Sequence, residues 1–584
     1  MHHFSAWAPR AKSCSVWING AAHTMTEEEQ GWWRANVAAA SHGTDYAFLL
    51  DDDPKPYPDP RSAWQPNGVH MPSRVLDHSR HEWRDRSWAP PPLSQAVIYE
   101  LHVGTFTPEG TFLAAAEKLG YLRDLGVTHV ELMPVNSFPG RWGWGYDGVA
   151  IYAPQEVYGG PEGLKQFVDA CHATGLAVLL DVVYNHFGPD GNYTGLFGPY
   201  ITESHRTPWG GAINLEEAGS DEVRRFLCDN ALMWLRDYHF DGLRLDAIHA
   251  FVDRSAKHFL EQLSEEVEML SNQEGKEFVL IAESDLNDPR VVTPRVSSMG
   301  RDCEGYGMDA QWSDDFHHAL FALLTGERRA YYQDFGNLAQ LAKALKSAYV
   351  FDGVYSEYRG CIHGRPIQGL NAHHFLGYIQ NHDQVGNRAF GGRIYGIAGL
   401  RKAKLATAVV MTAPFIPMIF QGEEFAASSP FLYFADHDDL DLAQAVTHGR
   451  RREHASDGAW DEIPDPESRE SFERSKLNWQ ELEETEHTEM KEWYQTLIRL
   501  RQSSPDLLDG NLERVEVIFD EDRGWLWMKR GPILLLYNFS ENEVAIESIA
   551  TGPLLITSDA TLCIEDRKTL LPPFGFAALS VSQS

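Results

Sequence analysis

Four short segments place acidic residues at the ends of apolar runs: Asp181-Val182-Val183-Tyr184-Asn185-His186, Gly242-Leu243-Arg244-Leu245-Asp246, Ile281-Ala282-Glu283-Ser284 and Gln380-Asn381-His382-Asp383. A carboxylate where a buried strand leaves a core is costly without a partner or a task. Four of them in the same structural position imply one shared site. Two carboxylates flanking a scissile glycosidic bond are the apparatus of its cleavage. Carboxylates around a lone Arg could also hold a metal, but three Asp and one Glu without a DxD spacing are weak ligands for magnesium. Taken singly, an Asp at a strand end is more often a helix cap and a lone His is usually structural. The joint pattern carries the argument.

The elements around these segments must bring them together. Eight strand-like runs follow residue 94: Val97–Val103, His129–Met133, Ala177–Val183, Gly242–Asp246, Phe278–Ala282, Met308–Gln311, Phe375–Gln380 and Pro417–Phe420. Helical segments lie between them, among them Thr111–Asp124, Gly163–Thr174, Asp221–Tyr238 and Ala256–Leu270, with a last one at Thr488–Arg501. Continuous apolar strands alternating with helices predict a parallel sheet covered on both faces. Eight such units predict an α/β fold, a (β/α)8 TIM barrel over residues 94–505 with loop insertions. A doubly wound sheet is the alternative, but it wants a Gly-rich phosphate loop after the first strand, and Val103-Gly104-Thr105-Phe106 supplies none. In a barrel, Asp181, Asp246, Glu283 and Asp383 come to one face with Arg244, His186 and His382.

Residues 1–88 alternate in short runs between turns such as Asp51-Asp52-Asp53-Pro54, which predicts an N-terminal β-sandwich. Ala89-Pro90-Pro91-Pro92 reads as a stiff linker, and residues 510–584 as a C-terminal β-sandwich. Gly188–Ser220 and Phe425–Gln480 are insertions at strand ends. The second is partly acidic and reads as solvated loop beside the active face.

A formal net charge of −34 argues against nucleic acid or an anionic membrane as partner and suits a neutral substrate. The six cysteines (Cys14, Cys171, Cys228, Cys303, Cys361 and Cys563) form no CxxC pair and no metal-type cluster. Unpaired thiols, no leader-like apolar run and no long apolar span point to a cytoplasmic protein. No cofactor or metal is expected. The 17 Trp are enough to stack on sugar rings, although core packing accounts for most of them.

In order, spacing and strand placement, the four segments resemble the four sequence regions of the α-amylase family of glycoside hydrolases, over residues from about 97 to 425. The resemblance implies a retaining mechanism with Asp246 as nucleophile, Glu283 as general acid/base and Asp383 as the third carboxylate, on ring hydroxyls. Asp181 is expected to orient Arg244 rather than react. Arg244 favours an ionised Asp246, and like charges favour a protonated Glu283. His186 and His382 can donate to sugar hydroxyls. In Gly143-Trp144-Gly145-Tyr146-Asp147-Gly148, Tyr146 resembles the family's aromatic platform, with Asp147 beside it.

Neighbouring loops narrow the resemblance to family members that act on trehalose-capped maltooligosaccharides. These are Phe138–Gly148, Thr207-Pro208-Trp209-Gly210, Gln311–His318 and Gln380–Arg388. The implied reaction hydrolyses the α-1,4 bond next to the terminal trehalose of maltooligosyltrehalose, with α-1,4-glucans as the wider substrate class. Trp209, the loop Tyr355–Arg359 with Arg359, and Asp314-Asp315 are candidates for reading the trehalose end, though loop packing explains them equally well. A branching or debranching activity is the alternative within the family, and a non-catalytic barrel the alternative outside it. Gln384 after Asp383 counts against branching, where Glu is usual.

Overall fold

A computed structural model describes residues 2–296, 305–547, 552–565 and 568–581. Eight strands form a closed parallel barrel: β1 (Ile98–Leu101), β2 (His129–Leu132), β3 (Ala177–Val182), β4 (Gly242–Leu245), β5 (Val279–Ala282), β6 (Ala310–Trp312), β7 (Phe375–Gly377) and β8 (Ile416–Phe420). Each pairs with its chain neighbour, and β8 closes on β1 through Met418↔Ile98. All eight expected strands are present; most are shorter than expected by one to three residues, the sixth is shifted to Ala310–Trp312 and the eighth starts one residue earlier, at Ile416. β3 is buried along its whole length because the barrel interior covers one face and helices the other. Ile98, Leu179, Ile281, Trp312, Leu376, Tyr378 and Met418 fill the interior, so the barrel is a packed core and not a pore.

The helices sit where the periodicity put them, with one correction. Thr111–Asp124 is two helices, Phe112–Ala116 and Leu119–Leu125. Thr111 caps the first by accepting from the Ala114 N–H, and Gly126 at φ 104° ends the second. The other helices run Gly160–Thr174, Ser220–Asp237, Phe259–Glu274 and Thr485–Ser503.

Before the barrel, two antiparallel sheets pack face to face. One holds His2–Trp7, Trp32–Val37 and Thr26–Glu27; the other holds Ala21–Thr24, Cys14–Ile18, Asp45–Leu50 and Ser73–Arg74. The sandwich is fixed to the barrel by Arg61, which donates to Asp229 (2.9 Å) and Tyr152 (3.0 Å). After the barrel, a five-stranded and a three-stranded antiparallel sheet enclose Trp527, Leu536, Ile546 and Leu579. Arg501 anchors the preceding helix by donating to the carbonyls of Met411, Ala413 and Phe415.

Both insertions lie at the C-terminal ends of strands. The one after β3 contains the hairpin Ile201–Thr207/Gly210–Ile213. The one after β8 is not simply solvated loop: it carries helices Leu440–Glu453 and Arg469–Arg474, and it buries Phe431 and Phe434 against Trp144 and Phe420. Most of its charges face outward, although Arg450 is buried, and Phe431 and Phe434 supply the core that the charge runs obscured. Cys14, Cys171 and Cys228 are buried thiols and Cys361 is exposed; Cys303 lies outside the described residues. Among the described residues no helix is long and apolar enough to cross a membrane.

Candidate active site

Arg244 organises the site. It projects from the buried strand β4 and is fully enclosed. Its Nη1 donates to both oxygens of Asp181 on β3 (2.8 and 2.7 Å) and to Asp246 Oδ1 (2.9 Å). Its Nη2 lies 3.4 Å from Glu283 Oε2. One guanidinium therefore touches three carboxylates, with its face 4.1 Å from the Trp312 ring. The register explains this convergence: Asp181 pairs with Arg244 across β3–β4, and Leu245 pairs with Ala282 across β4–β5. Asp246 and Glu283 thus leave adjacent strands at the same level.

The two carboxylates are held differently. Asp246 Oδ2 accepts from Asn185 Nδ2 (2.6 Å), which also donates to the Asp246 carbonyl (3.0 Å). Glu283 Oε2 accepts from the backbone N–H of Ala247 (2.5 Å). Ala247 has φ 40°, a left-handed conformation that costs a non-glycine residue energy and turns its N–H toward Glu283. Burial pushes the Glu283 pKa well up. Arg244 opposes the shift, and Asp246, Asp383 and Asp314 reinforce it. A carboxyl kept protonated near neutrality is what a general acid requires. Burial also raises Asp181, to about 6 against the pull of Arg244, so it is largely ionised at neutral pH.

The segment after β2 brings in Tyr146. Gly145 precedes it at φ 97°, and a Cβ there would stand 2.2 Å from the Pro134 carbonyl oxygen. Only glycine fits that turn. The Tyr146 ring stacks on His382 (centroids 5.1 Å, interplanar 24°). Its hydroxyl donates to Asp181 Oδ2 (2.6 Å) and lies 2.7 Å from His382 Nε2. Asp147 points toward His437 (3.9 Å), which pairs with Glu467 (2.9 Å), and burial raises the Asp147 pKa.

Asp383 follows β7 on a one-turn helix, His382–Gly386, capped by the Asn381 side chain. Its carboxylate is 42% exposed, open to the cleft, and 3.6 Å from His382 Nε2. His186 is buried; its Nδ1 bonds Asn185 Oδ1, and its ring stacks on Trp209 (5.2 Å, 11°). Arg359 does not reach Asp246, Glu283 or Asp383. It donates to Asp285 Oδ2 (2.9 Å), two residues past Glu283. Asp314 accepts from the Tyr378 hydroxyl (2.5 Å) beside the site, and burial raises its pKa to about 7.

Sequence reasoning missed Glu100, Glu131, Asn185 and Trp312 as parts of the site. Glu100 on β1 accepts from the His382 backbone N–H (3.0 Å) and from its Nδ1 (2.5 Å). Glu131 on β2 is buried with neither oxygen hydrogen-bonded. Both interrupt apolar strands, the same signal that marked Asp181. One group among the described residues could hold a cation: His70, Asp190 and Asp438, whose ligand atoms lie within 4.8 Å of one another. His70 and Asp190 already pair (3.1 Å), where the N-terminal segment meets the loops after β3 and β8.

The closed barrel with its carboxylates at the strand ends defines an α-amylase-family glycoside hydrolase, and residues 72–195 match the family described as Alpha amylase, catalytic domain. The chain is 45% identical over 589 residues to "Malto-oligosyltrehalose trehalohydrolase" of Mycobacterium tuberculosis, covering 100% of both chains. It therefore belongs to the malto-oligosyltrehalose trehalohydrolase family. A crystal structure of a putative alpha amylase from Salmonella typhimurium superposes with a TM-score of 0.91 at 37% identity, covering 99% of this chain and 97% of the other. A 1,4-alpha-glucan branching enzyme of Photobacterium profundum is 36% identical, but over only 44% of this chain and 39% of its own length.

Proposed function

We propose that the chain is a retaining hydrolase that cuts the α-1,4-glucosidic bond next to the terminal trehalose of maltooligosyltrehalose, releasing trehalose and a maltooligosaccharide. The observation that carries the chemistry is the single guanidinium of Arg244 in contact with Asp181, Asp246 and Glu283. It brackets two carboxylates on adjacent strands, the arrangement of a close retaining pair. The full-length relatedness to trehalohydrolases supports the choice of bond.

In the first step Asp246 attacks the anomeric carbon, and Glu283 gives its proton to the glycosidic oxygen as that bond breaks. Trehalose leaves with the proton, and the maltooligosaccharide stays as an ester on Asp246. In the second step water attacks the anomeric carbon, Glu283 takes its proton, and the sugar leaves with its α configuration restored. Arg244 and Asn185 hold Asp246 in line. Asp383 faces the cleft, free to accept from ring hydroxyls, and Tyr146 offers a ring face stiffened by His382. Trp209 on its hairpin and Arg359 on Asp285 stand at the rim as readers of the trehalose end.

A branching reading is weaker. Gln384 follows Asp383 and accepts from the Tyr331 hydroxyl (3.0 Å), and the likeness to a branching enzyme covers less than half the chain. The deciding experiment is product analysis on maltotriosyltrehalose. Equimolar trehalose and maltotriose are expected. Absence of trehalose, with α-1,6 linkages made or broken in glucans, overturns the reading.

A further inference from the structure

Beneath the catalytic carboxylates runs a chain of short hydrogen bonds that crosses the barrel interior. Glu100 on β1 binds His382 twice, through the backbone N–H (3.0 Å) and through Nδ1 (2.5 Å). His382 Nε2 is 2.7 Å from the Tyr146 hydroxyl, and that hydroxyl is 2.6 Å from Asp181 Oδ2. Asp181 holds Arg244 through both oxygens, and Arg244 holds Asp246. Glu100, His382, Asp181 and Arg244 are all buried, so bulk water cannot substitute for a missing partner.

Counting protons fixes the direction of the chain. Tyr146 has one hydroxyl proton, and Asp181, ionised beside Arg244, can only accept. The proton on the Tyr146 oxygen therefore points at Asp181, and Nε2 of His382 must supply the N–H to that oxygen. Nδ1 must also carry a proton, because it faces Glu100. Both ring nitrogens are donors, and a histidine with two N–H groups is a cation.

We infer that Glu100 is a positioning residue that holds His382 as an imidazolium, and so sets the direction of the hydrogen bonds running from His382 through Tyr146 to Asp181. Reversing any link would leave Asp181 facing a lone pair and loosen Arg244 against the nucleophile.

Burial and Arg244 disfavour a charged His382, and the carboxylates around it outweigh them. Glu100 on β1 and Asp383 on its own helix favour the cation; Arg244 on β4 opposes it. Asp181 on β3 lies beyond Tyr146, and His102 after β1 is held neutral, its pKa lowered by burial to about 4. Glu131 on β2 has no hydrogen-bond partner, and burial pushes its pKa well up, so it brings no competing charge. Burial alone would lower the His382 pKa, but the carboxylates outweigh it and raise it to about 9.

The catalytic arm of the test rests on the hydrolase reading; the spectroscopic arm does not. In Glu100→Gln the side chain keeps its shape but not its charge: the amide oxygen accepts from Nδ1–H of a neutral ring, whose bare Nε2 then takes the Tyr146 proton away from Asp181. The charge and the direction of the chain are lost together. The kcat on maltotriosyltrehalose, as a ratio to wild type, is expected at about one half at pH 6.5, above the Asp181 midpoint of about 6, and at about one thirtieth at pH 8, because the imidazolium midpoint moves from about 9 toward about 6.5. A loss of equal size at every pH means that Glu100 is merely structural and overturns the inference. Independently, NMR titration of ring-labelled histidine in the wild-type chain, with His382 assigned by its absence in H382N, should give a midpoint near 9. A wild-type midpoint near 6.5 sinks the proposal whatever the substrate proves to be, and whether or not E100Q folds.

Discussion

The two ends of the barrel both bury charges, and they do so in opposite ways. At the N-terminal ends of the strands, Asp241 precedes β4. One oxygen accepts from Trp88 Nε1 (2.8 Å) and Lys276 (2.8 Å), the other from His172 Nε2 (3.0 Å) and the Val178 N–H (2.8 Å). His172 also bonds Asp85 (2.9 Å), which holds His239 (2.8 Å). Every lone pair of Asp241 is used, and its pKa falls to about 2, because His172 and Lys276 overcome the cost of burial. At the C-terminal ends, Arg244 Nε and Nη2 have no hydrogen-bond partner, and Glu283 has one backbone donor with its pKa pushed up. Saturated charges weld the segment Trp83–Trp88 to the barrel; at the other rim Arg244 is enclosed with nitrogens unsatisfied, and Asp383 stays open to the cleft. Stability and chemistry are thus divided between the two rims.

The sharpest way to break that division is to remove charge at each end in turn. Asp246→Ala should lower kcat by about four orders of magnitude or more, as loss of a covalent nucleophile does, and leave the unfolding midpoint within a degree or two. Steady-state assays and thermal melts on the same sample check it; near-normal turnover would falsify the assignment. Asp241→Asn should do the reverse. Breaking one partner of a buried charge cluster costs about 3–5 kcal/mol, read as a clearly lower urea or thermal midpoint. The kcat per folded molecule should stay unchanged, and a large kcat loss at full folding would show that the two rims are coupled.

Asp241 is depressed in the folded state, from 3.8 to about 2, so its contribution is complete above about 4 and is lost as pH falls through about 2. Asp241→Asn should flatten the acid limb of stability in that window. Glu283 is shifted the other way: its folded pKa is raised, so its ionisation above the ordinary carboxyl range works against the fold. Glu283→Gln should abolish turnover at neutral pH while raising stability by on the order of 1 kcal/mol. A less stable Glu283→Gln would mean that the Ala247–Glu283 bond outweighs the buried charge.

How far the sequence carried this reading depended on what kind of signal each element gives. The eight barrel strands were legible because parallel strands buried on both faces read as unbroken apolar runs, and acidic residues at their ends were visible against that background. Glu100 and Glu131 gave the same signal one layer deeper, as acids within strands, and were passed over because they sit in the middle of a run and not at its end. Asn185 was quoted within its segment, but nothing in an amide's spacing says that it will reach Asp246 across two strands. The insertion after β8 read as solvated loop because its Asp and Glu outnumber its aromatics; that Phe431 and Phe434 turn inward is decided by Trp144, almost three hundred residues away in the chain. The N-terminal rim was invisible for a related reason, since Asp85, His172, Asp241 and Lys276 share no spacing and meet only in the folded chain.

Each rim carries a Trp–His stack. Trp209 lies on His186 at the catalytic rim (5.2 Å, 11°), and Trp88 lies on His172 at the other (4.7 Å, 13°). Trp209 is 47% exposed and its ring donates no hydrogen bond among the described residues, whereas Trp88 Nε1 is tied to Asp241. An exposed ring held only by stacking contributes about 0.5–1.5 kcal/mol to whatever packs on it. Trp209→Ala should therefore lower kcat/KM on maltotriosyltrehalose by about 2- to 10-fold and leave the melting midpoint in place. Trp88→Phe keeps an aromatic face on His172 but leaves Asp241 one donor short, so it should lower the midpoint and spare kcat/KM. If Trp209→Ala shifts the melt and not the kinetics, the loop is packing on the barrel and not waiting for sugar, and the trehalose end must be read elsewhere on the rim.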